Sequence, residues 1–302
     1  MKHLFIFNPN SIKGKKGEKL LQRIREKCKD LNFEIYLSAS GEDARNKARE
    51  TCKAGEEICV YAGGGDGLIH QVAQAIYGFQ NAILSVIPVG TGNDFVRNFG
   101  GKERFLTLDH ITDSEERTID LFRAGEYIGA NMINIGFDAS VVTRLEKLRK
   151  WPLMSHSIAY TIALVIQLVQ YPRGQLHIKA KDIMLRDRFL LTFIANGQYC
   201  GGGYRSASKA KLDDGLLDVF QVKPVSRAKF LSLVGSYKKG TLLDKPQHKH
   251  IYHFFQTDRL SLHSETPFDM CLDGEMITCA DVEIEVLKNA MRVRVPKGEK
   301  QC

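Results

Sequence analysis

Two short glycine-rich stretches that carry acidic residues are the part of this sequence best suited to chemistry. The first, "GGGDG" (63–67), follows the apolar run "EICVYA" and precedes a helical pattern from 68 to about 77. Glycines let a backbone approach a ligand closely, and the unpaired N–H groups at a helix start bind phosphate oxygens. Asp66 would repel phosphates unless a cation lay between them, so it indicates Mg²⁺. A purely structural turn is the alternative interpretation.

A second junction of the same kind follows the next apolar strand. In "IPVGTGNDF" (87–95), Thr91 and Asn93 offer hydrogen-bond donors and Asp94 offers another carboxylate. Asn93 and Asp94 could instead form a helix N-cap pair. Loops after neighbouring parallel strands project from the same edge of a sheet, so the two junctions together predict one nucleotide site. The chain has neither the P-loop signature nor GxGxxG at its first strand–helix turn, which excludes those two kinds of nucleotide site.

The elements that must position these loops alternate along the first 125 residues. Apolar strand patterns lie at 3–7, 33–37, 57–62 and 82–89, and helical patterns separate them. This alternation predicts an α/β N-terminal domain (1–125) with a parallel sheet. Strand patterns dominate after it, with helices expected only at about 155–170 and 226–240. The second part, 126–289, is therefore predicted to be an antiparallel β-sandwich domain.

Composition and charge narrow the class of partner. The chain has 302 residues, a formal charge of +8 and a pI of about 9.0, which favours an anionic partner or simply solubility. Nucleic acid is a less favoured partner because the basic residues are interpreted as dispersed along the sequence, without aromatic residues between them. Seven cysteines without a CxxC pair indicate a reducing cytosol. The longest apolar run, 158–171, is shorter than the roughly 20 residues of a membrane helix, so a cytoplasmic protein is expected.

Seven motifs in order resemble a known family. They are "NPNS" (8–11), "GGGDG" (63–67), "PVGTGNDF" (88–95), "NIGFDA" (134–139), "NGQYCGGGY" (196–204), "KLDDGLLDV" (211–219) and "DGE" (273–275). Together they resemble the diacylglycerol kinase catalytic-domain family, which includes bacterial soluble lipid kinases, over nearly the whole chain. The resemblance implies an active site in the cleft between the two domains. It also implies that 290–302 returns to the first domain.

The resemblance assigns expected roles to residues of this chain. ATP contacts are expected from Asn8, Pro9, Asn10, Ser11, Ser38, Gly64, Gly65, Asp66, Gly67 and Thr91, with Asn93 and Asp94 near the phosphates and their Mg²⁺. Asp273 matches the family's proposed general base, with Glu275 beside it, and Asp120 matches an acid in a water-mediated metal network. A second, structural Mg²⁺ site is expected from the Asp214 carboxylate and the backbone carbonyls of Lys211 and Leu216. Hairpin turns are the alternative for both acidic motifs.

The sequence departs from the family pattern just after the first glycine loop. Leu68, His70 and Gln71 stand where the family usually has Thr, Asn and Glu, which puts the acceptor and the rate in question. His70 is interpreted as a surface or hydrogen-bonded histidine rather than a catalyst. The expected function is an ATP-dependent lipid kinase, with diacylglycerol as the leading acceptor. The alternatives are a kinase of a soluble metabolite such as NAD and a lipid- or nucleotide-binding relative without turnover.

A membrane contact is predicted from "RLEKLRKWPLM" (144–154), which places basic residues next to Trp151. Such a pairing suits an anionic bilayer surface, while a solvated helix end is the alternative. We therefore expect peripheral association with the inner face of the membrane, with anionic phospholipid and lipid substrate as partners and without nucleic acid. A homodimer is a further state that the resemblance leaves open.

Overall fold

The N-terminal part is a parallel sheet covered by helices, as predicted. The computed structural model describes residues 1–136 and 174–298. The sheet order is β2-β1-β3-β4, and all three pairings are parallel. These strands are β1 (Lys2–Phe7), β2 (Phe33–Leu37), β3 (Ile58–Gly64) and β4 (Ala82–Pro88). Both β3 and β4 are buried along their whole length, as expected for strands covered on two faces.

The helices follow the predicted amphipathic patterns, with one shift that matters for the site. They are α1 (Gly14–Lys27), α2 (Gly41–Lys53), α3 (Asp66–Ile76) and α4 (Lys102–Leu106), with 3-10 turns at Pro9–Ile12, Phe95–Phe99 and Asp109–Ile111. Because α3 begins at Asp66 rather than at 68, the acid of the glycine loop belongs to the first helical turn. Within the described residues, the helices lack the combination of length and apolar character needed to cross a bilayer.

The C-terminal part is built mainly of antiparallel strands. The N-terminal part ends with β5 (Ser114–Ala124). The strands that follow are β6 (Tyr127–Gly129), β7 (Met132–Gly136), β8 (Gly174–Gln175), β9 (His177–Ala180), β10 (Ile183–Leu185), β11 (Arg188–Phe189), β12 (Leu191–Ala195), β13 (Leu217–Val222), β14 (Tyr252–Thr257), β15 (Arg259–Leu272) and β16 (Glu275–Pro296). The predicted helix at 226–240 is present as α5 (Arg227–Lys239), followed by a 3-10 segment, Pro246–Ile251. The predicted helix at 155–170 and the membrane segment 144–154 lie outside the described residues. The predicted fold class is confirmed.

One long strand joins the two parts. β16 has 22 residues, pairs antiparallel with β15 over its first half, and then pairs with β5. Its end also runs parallel to β4, with Arg292 opposite Ile83 and Val293 opposite Leu84. The apolar stretches 282–287 and 291–295 therefore belong to one continuous strand. The shared strand holds the edge of the parallel sheet and the turn at 273–274 in one rigid frame.

Two buried histidines make the first part acid-sensitive. His110 is fully buried between Phe105 and Tyr61, with ring centroids 5.2 and 6.0 Å away, and burial lowers its pKa to about 4. Burial also lowers the pKa of His3 to about 4. Because both folded pKa values lie below the ordinary 6.5, this stabilisation is present above pH 6.5 and is lost as the pH falls toward 4.

We predict that His110→Phe reduces the loss of unfolding free energy at acid pH. Phenylalanine keeps the ring contacts with Phe105 and Tyr61 but binds no proton. Between about pH 6.5 and 5 the wild type should lose about 2 kcal/mol more unfolding free energy than the variant. Urea unfolding at these two pH values measures the difference, with exposed His250→Phe as the control. Parallel pH curves for wild type and His110→Phe would contradict the assignment.

Candidate active site

The two glycine turns touch each other at one edge of the parallel sheet. The amides of Val89 and Gly90 donate to the Gly64 carbonyl at 3.1 and 2.9 Å. A Cβ atom added to Gly90 would lie 2.2 Å from the Cα of Gly65, closer than a real Cβ can approach. Glycine at this position is therefore required by the close contact of two backbones. The turns together form one continuous, amide-rich surface.

Asp66 fastens the second turn to the first. Its Oδ1 accepts the amides of Asp94 at 2.8 Å and Phe95 at 3.1 Å. Burial, followed by the negative charge of Asp94, raises the pKa of Asp66 to about 6. Its ionised form is therefore costly without a nearby cation. The charge of Asp273 adds to the same rise, which places an acid of the C-terminal part near the turns.

Asp94 connects the turns to the C-terminal part. Its Oδ2 accepts the Gly202 amide at 2.7 Å, and Arg97 Nε lies 3.3 Å from its Oδ1. Burial raises the pKa of Asp94, and the hydrogen bonds and Arg97 oppose that rise. Gly202 belongs to the motif "NGQYCGGGY", so one carboxylate holds both walls of the cleft. Sequence reasoning did not single out Arg97, whose only signal was its position three residues after Asp94.

Asp273 lies in the turn between β15 and β16 and is enclosed by backbone amides. Its carboxylate accepts the N–H groups of Ala130, Asn131 and Met132 at 2.6, 3.1 and 2.7 Å. Its φ is 48°, a left-handed conformation that Asp tolerates better than most residues. Both carboxylate oxygens are therefore occupied, and the side chain is 5% exposed. The carboxylate holds the connection between β6 and β7 against the turn.

Glu275 lies two residues further on and has a different environment. It is exposed, and its Oε1 accepts a hydrogen bond from Gln71 Nε2 at 3.0 Å. Gln71 lies on α3, so this bond spans the cleft from the turn to the helix that carries Asp66. A glutamine at position 71 donates to Glu275, whereas a carboxylate there would repel it.

His70 is buried in the site, so the surface alternative in its interpretation is wrong. The side chain is 2% exposed, its Nδ1 has no hydrogen-bond partner among the described residues, and this atom lies 3.8 Å from Asp273 Oδ2. α3 is covered by the sheet of its own domain and by the turn of the other. A sequence pattern that shows only one helix cannot reveal that second cover.

Asp120 and the motif at 211–216 form a separate cluster. Asp120 accepts the amides of Gly215 and Asn289, both at 2.7 Å, and donates its own amide to Leu212. Asp214 accepts the Leu216 amide at 3.1 Å, and burial raises its pKa. Across residues 1–136 and 174–298 there is no group of three acidic, histidine or cysteine side chains that could hold a metal. The expected site, one carboxylate with the Lys211 and Leu216 carbonyls, stays a prediction.

The remaining residues expected at the nucleotide lie at the same edge, where several shape loops with their side chains. Asn8 caps the turn that begins at Pro9 by accepting the Asn10 amide at 2.9 Å, and its own amide donates to Gly63. The Ser11 amide donates to the Asn8 carbonyl. Ser38 Oγ donates to the Phe7 carbonyl, and Asn93 exchanges hydrogen bonds with Gly90. Thr91 and Gly67 are exposed and face open space for a ligand.

The arrangement fits a magnesium nucleotide. The N-cap of α3 is Gly65, which supplies no side-chain cap. The Leu68 amide donates to the Gly65 carbonyl, and the amides of Asp66 and Gly67 before it can bind an anion. Asp66 and Asp94 lie beside these amides. Mg²⁺ usually binds one or two carboxylates together with phosphates rather than a protein cage.

Comparison with known proteins identifies the two parts separately. Residues 2–124 match the family "Diacylglycerol kinase catalytic domain", and residues 131–295 match "YegS C-terminal NAD kinase beta sandwich-like domain". The chain is 31% identical over 259 residues to "Probable lipid kinase YegS-like" of Pseudomonas aeruginosa strain PAO1, covering 85% of this chain and 82% of that protein. It is 27% identical over 267 residues to a protein of the same description from Alcanivorax borkumensis, covering 87% of each.

Solved structures share the fold. A crystal structure of a diacylglycerol kinase from Bacillus anthracis superposes with a TM-score of 0.71 at 19% identity, covering 97% of this chain and 96% of that one. An NAD kinase from Archaeoglobus fulgidus in complex with ATP superposes with a TM-score of 0.52 at 12% identity, covering 100% and 95%. At these identities the likeness shows the fold alone.

The fold and the glycine-turn site define a two-domain kinase in which an α/β domain meets a β-sandwich. The chain belongs to the diacylglycerol kinase catalytic-domain family, in its YegS-like branch.

Proposed function

We propose that this protein is an ATP-dependent lipid kinase that transfers the γ-phosphate to a lipid hydroxyl, with diacylglycerol converted to phosphatidate. One observation carries the proposal: the turn that holds Asp273 and Glu275 meets α3, the helix that begins in the first glycine turn, across the cleft through the Gln71–Glu275 hydrogen bond. An acid therefore stands opposite an anion-binding surface, as phosphoryl transfer requires. The names of the relatives, which are lipid kinases, support the acceptor class.

The residues of this chain divide the work of the reaction. The first amides of α3, with Gly67 and Thr91, bind and orient the phosphates. Mg²⁺ bound with the nucleotide would neutralise the charge of the phosphates. A carboxylate takes the proton of the lipid hydroxyl while the hydroxyl oxygen forms a bond to the γ-phosphorus. The bond between that phosphorus and the bridging oxygen of ADP breaks at the same time. The chain forms no covalent intermediate in this scheme.

The geometry favours Glu275 as the base and Asp273 as the residue that positions it. Asp273 was the expected base, but both of its oxygens already accept backbone N–H groups. Glu275 is exposed, and among the described residues its carboxylate accepts one hydrogen bond, from Gln71. A base must reach the substrate proton directly, so availability decides between the two.

We predict that Glu275→Gln lowers kcat by about 10²- to 10⁴-fold, the usual contribution of a general base. The KM for ATP should change little, because Glu275 acts on the acceptor. Transfer of labelled phosphate to detergent-dispersed diacylglycerol measures this. Glu265→Gln, an exposed change on β15, is the matched control. An unchanged kcat would remove Glu275 from the role of base.

The acceptor is tested with a panel under ATP and Mg²⁺. Diacylglycerol, a sphingoid base, phosphatidylglycerol and NAD are offered separately. NAD is included because the C-terminal domain family and one fold relative carry the name NAD kinase. Preference for NAD would establish the soluble-metabolite alternative. Nucleotide binding without transfer to any acceptor would establish the non-catalytic alternative. We also propose that the protein works in the cytoplasm at the membrane surface, where its acceptor lies.

A further inference from the structure

A large share of the chain's charge lies in one short region. Residues 223–250 contain seven basic residues and one acid, a net charge of +6 in a protein whose total is +8. This concentration differs from the dispersed distribution expected above. The basic residues are Lys223, Arg227, Lys229, Lys238, Lys239, Lys245 and Lys249. Across residues 1–136 and 174–298, none of the six lysines forms an ion pair with a carboxylate. We call these seven residues with α5 the basic surface.

The outer face of α5 is apolar at its centre and basic at its ends. Only Leu233 of its 13 residues is buried, and Leu231 is 56% exposed. Arg227, Leu231 and Lys238 follow each other at spacings of four and seven, which places them on one side of the helix. Ala228 lies on that side too, and α5 contains no acidic residue. Cations on either side of an exposed leucine are suited to the headgroup region of an anionic bilayer, where the cations meet the headgroups and the leucine can enter the interface.

The 3-10 segment that follows adds its charges to the same surface. Lys245 Nζ donates to Ser236 Oγ on α5 at 2.7 Å, so the connecting chain folds back against the helix. Partial burial, followed by the positive charges of Lys229 and Lys245, lowers the pKa of His248. Both lysines are therefore close enough to His248 to affect its charge. The cations of α5 and of the 3-10 segment therefore form one patch.

The basic surface is connected to the cleft by the loop at 200–205. The Arg205 amide donates to the Lys238 carbonyl at 3.0 Å, and Lys238 Nζ lies over the Tyr204 ring at 5.3 Å. The same loop supplies the Gly202 amide that binds Asp94. A bilayer bound to α5 would therefore lie beside the loop that forms one wall of the cleft.

We propose that the basic surface docks this protein on an anionic phospholipid bilayer, with Leu231 entering the interface. The charge is complementary to anionic headgroups, each basic residue near such a surface contributing roughly 1 kcal/mol. A second copy of this chain is disfavoured as the occupant, because it would bring +6 against +6. The proposed docking rests on the proposed function in one respect: its purpose is to bring the cleft to a lipid acceptor in the membrane.

Vesicle binding without ATP tests the surface directly. The full chain is mixed with phosphatidylcholine vesicles with and without phosphatidylglycerol, and the bound fraction is measured by flotation. Wild type should bind only the anionic vesicles, and less at high salt. Lys239→Glu/Lys249→Glu, both at exposed positions, should weaken binding by about 30-fold or more. Leu231→Ser should weaken it by about 10-fold. The matched control is Lys19→Glu/Lys53→Glu, which makes the same charge change on exposed positions of α1 and α2.

Two further measurements separate this proposal from the proposed function. The Lys239→Glu/Lys249→Glu variant should keep wild-type transfer to detergent-dispersed diacylglycerol and lose it on anionic vesicles. If wild type phosphorylates no lipid but binds anionic vesicles, and the variant loses this binding, the surface is supported and the lipid kinase is contradicted. Vesicle binding of that variant equal to the control would overturn the surface. So would binding of wild type and Leu231→Ser to a nucleic-acid duplex as tightly as to the anionic vesicles. Melting temperatures equal to wild type establish that all the variants are folded.

Discussion

Asp66→Asn is expected to lower kcat by about 10³-fold and, in the same protein, to raise the stability of the nucleotide-free state at about pH 7. The loss of activity follows from the loss of a carboxylate next to the phosphate-binding amides, where the charge of a metal nucleotide must be matched. The gain in stability follows from the cost of an ionised acid that is partly buried and lies near two other carboxylates. Asparagine still presents an Oδ1 to the amides of Asp94 and Phe95, so the junction of the two turns is kept.

The sign of the stability change follows from the pKa. The folded pKa of Asp66 is about 6, above the ordinary 3.8, so the folded protein binds the proton more tightly than the unfolded chain. Stability from this group is therefore full below about pH 4 and is lost as the pH rises through 6. At about pH 7 the variant avoids that loss, which amounts to about 1–3 kcal/mol. The advantage should disappear near pH 4.

Urea unfolding at several pH values without divalent cations measures the stability effect, and the phosphoryl-transfer assay measures the loss of activity. Asp182→Asn, an exposed turn acid on the C-terminal part, is the matched control. Addition of Mg²⁺ and ATP should stabilise wild type more than Asp66→Asn. A variant less stable than wild type at every pH would show that the charge itself holds the turns together.

Asp273→Asn is expected to destabilise the protein by about 2–4 kcal/mol and to reduce transfer as well. The carboxylate satisfies the amides of Ala130, Asn131 and Met132, and asparagine replaces one acceptor oxygen with an NH₂ donor. Each buried N–H left without a partner costs about 1–3 kcal/mol. Backbone strain does not confuse the result, because asparagine accepts the left-handed φ of 48° at this position as readily as aspartate.

A comparison of two variants separates positioning from proton transfer. Asp273→Asn should lower both the urea midpoint and kcat, because the turn that carries Glu275 loses its anchor. Glu275→Gln should lower kcat at an unchanged midpoint, since Glu275 is exposed. If Asp273→Asn kept the wild-type midpoint and lost all transfer, Asp273 would be the base and Glu275 its neighbour. Asp182→Asn again serves as the control for a loss of one negative charge.

Local patterns were enough to predict that the two glycine turns lie together at one edge of the sheet. Each glycine turn follows an apolar strand, and the carboxyl ends of neighbouring parallel strands meet at one edge, so a sequence alone can bring 63–67 and 88–95 together. The resemblance supplied the C-terminal turn at 273–275. These inferences depend on short-range periodicity and on one topological rule, which the folded chain obeys.

The tertiary structure decided what those groups are able to do. Asp273 is occupied because residues 130–132, more than a hundred positions earlier, present three amides to it. His70 is buried because the turn at 273 covers its helix, and the pKa of Asp66 is raised because Asp94 and Asp273 gather in a desolvated place. The sequence by itself determined which residues are present and which strands they follow. Partners, burial and charge come from contacts between distant segments, and a one-dimensional pattern holds no record of those distances.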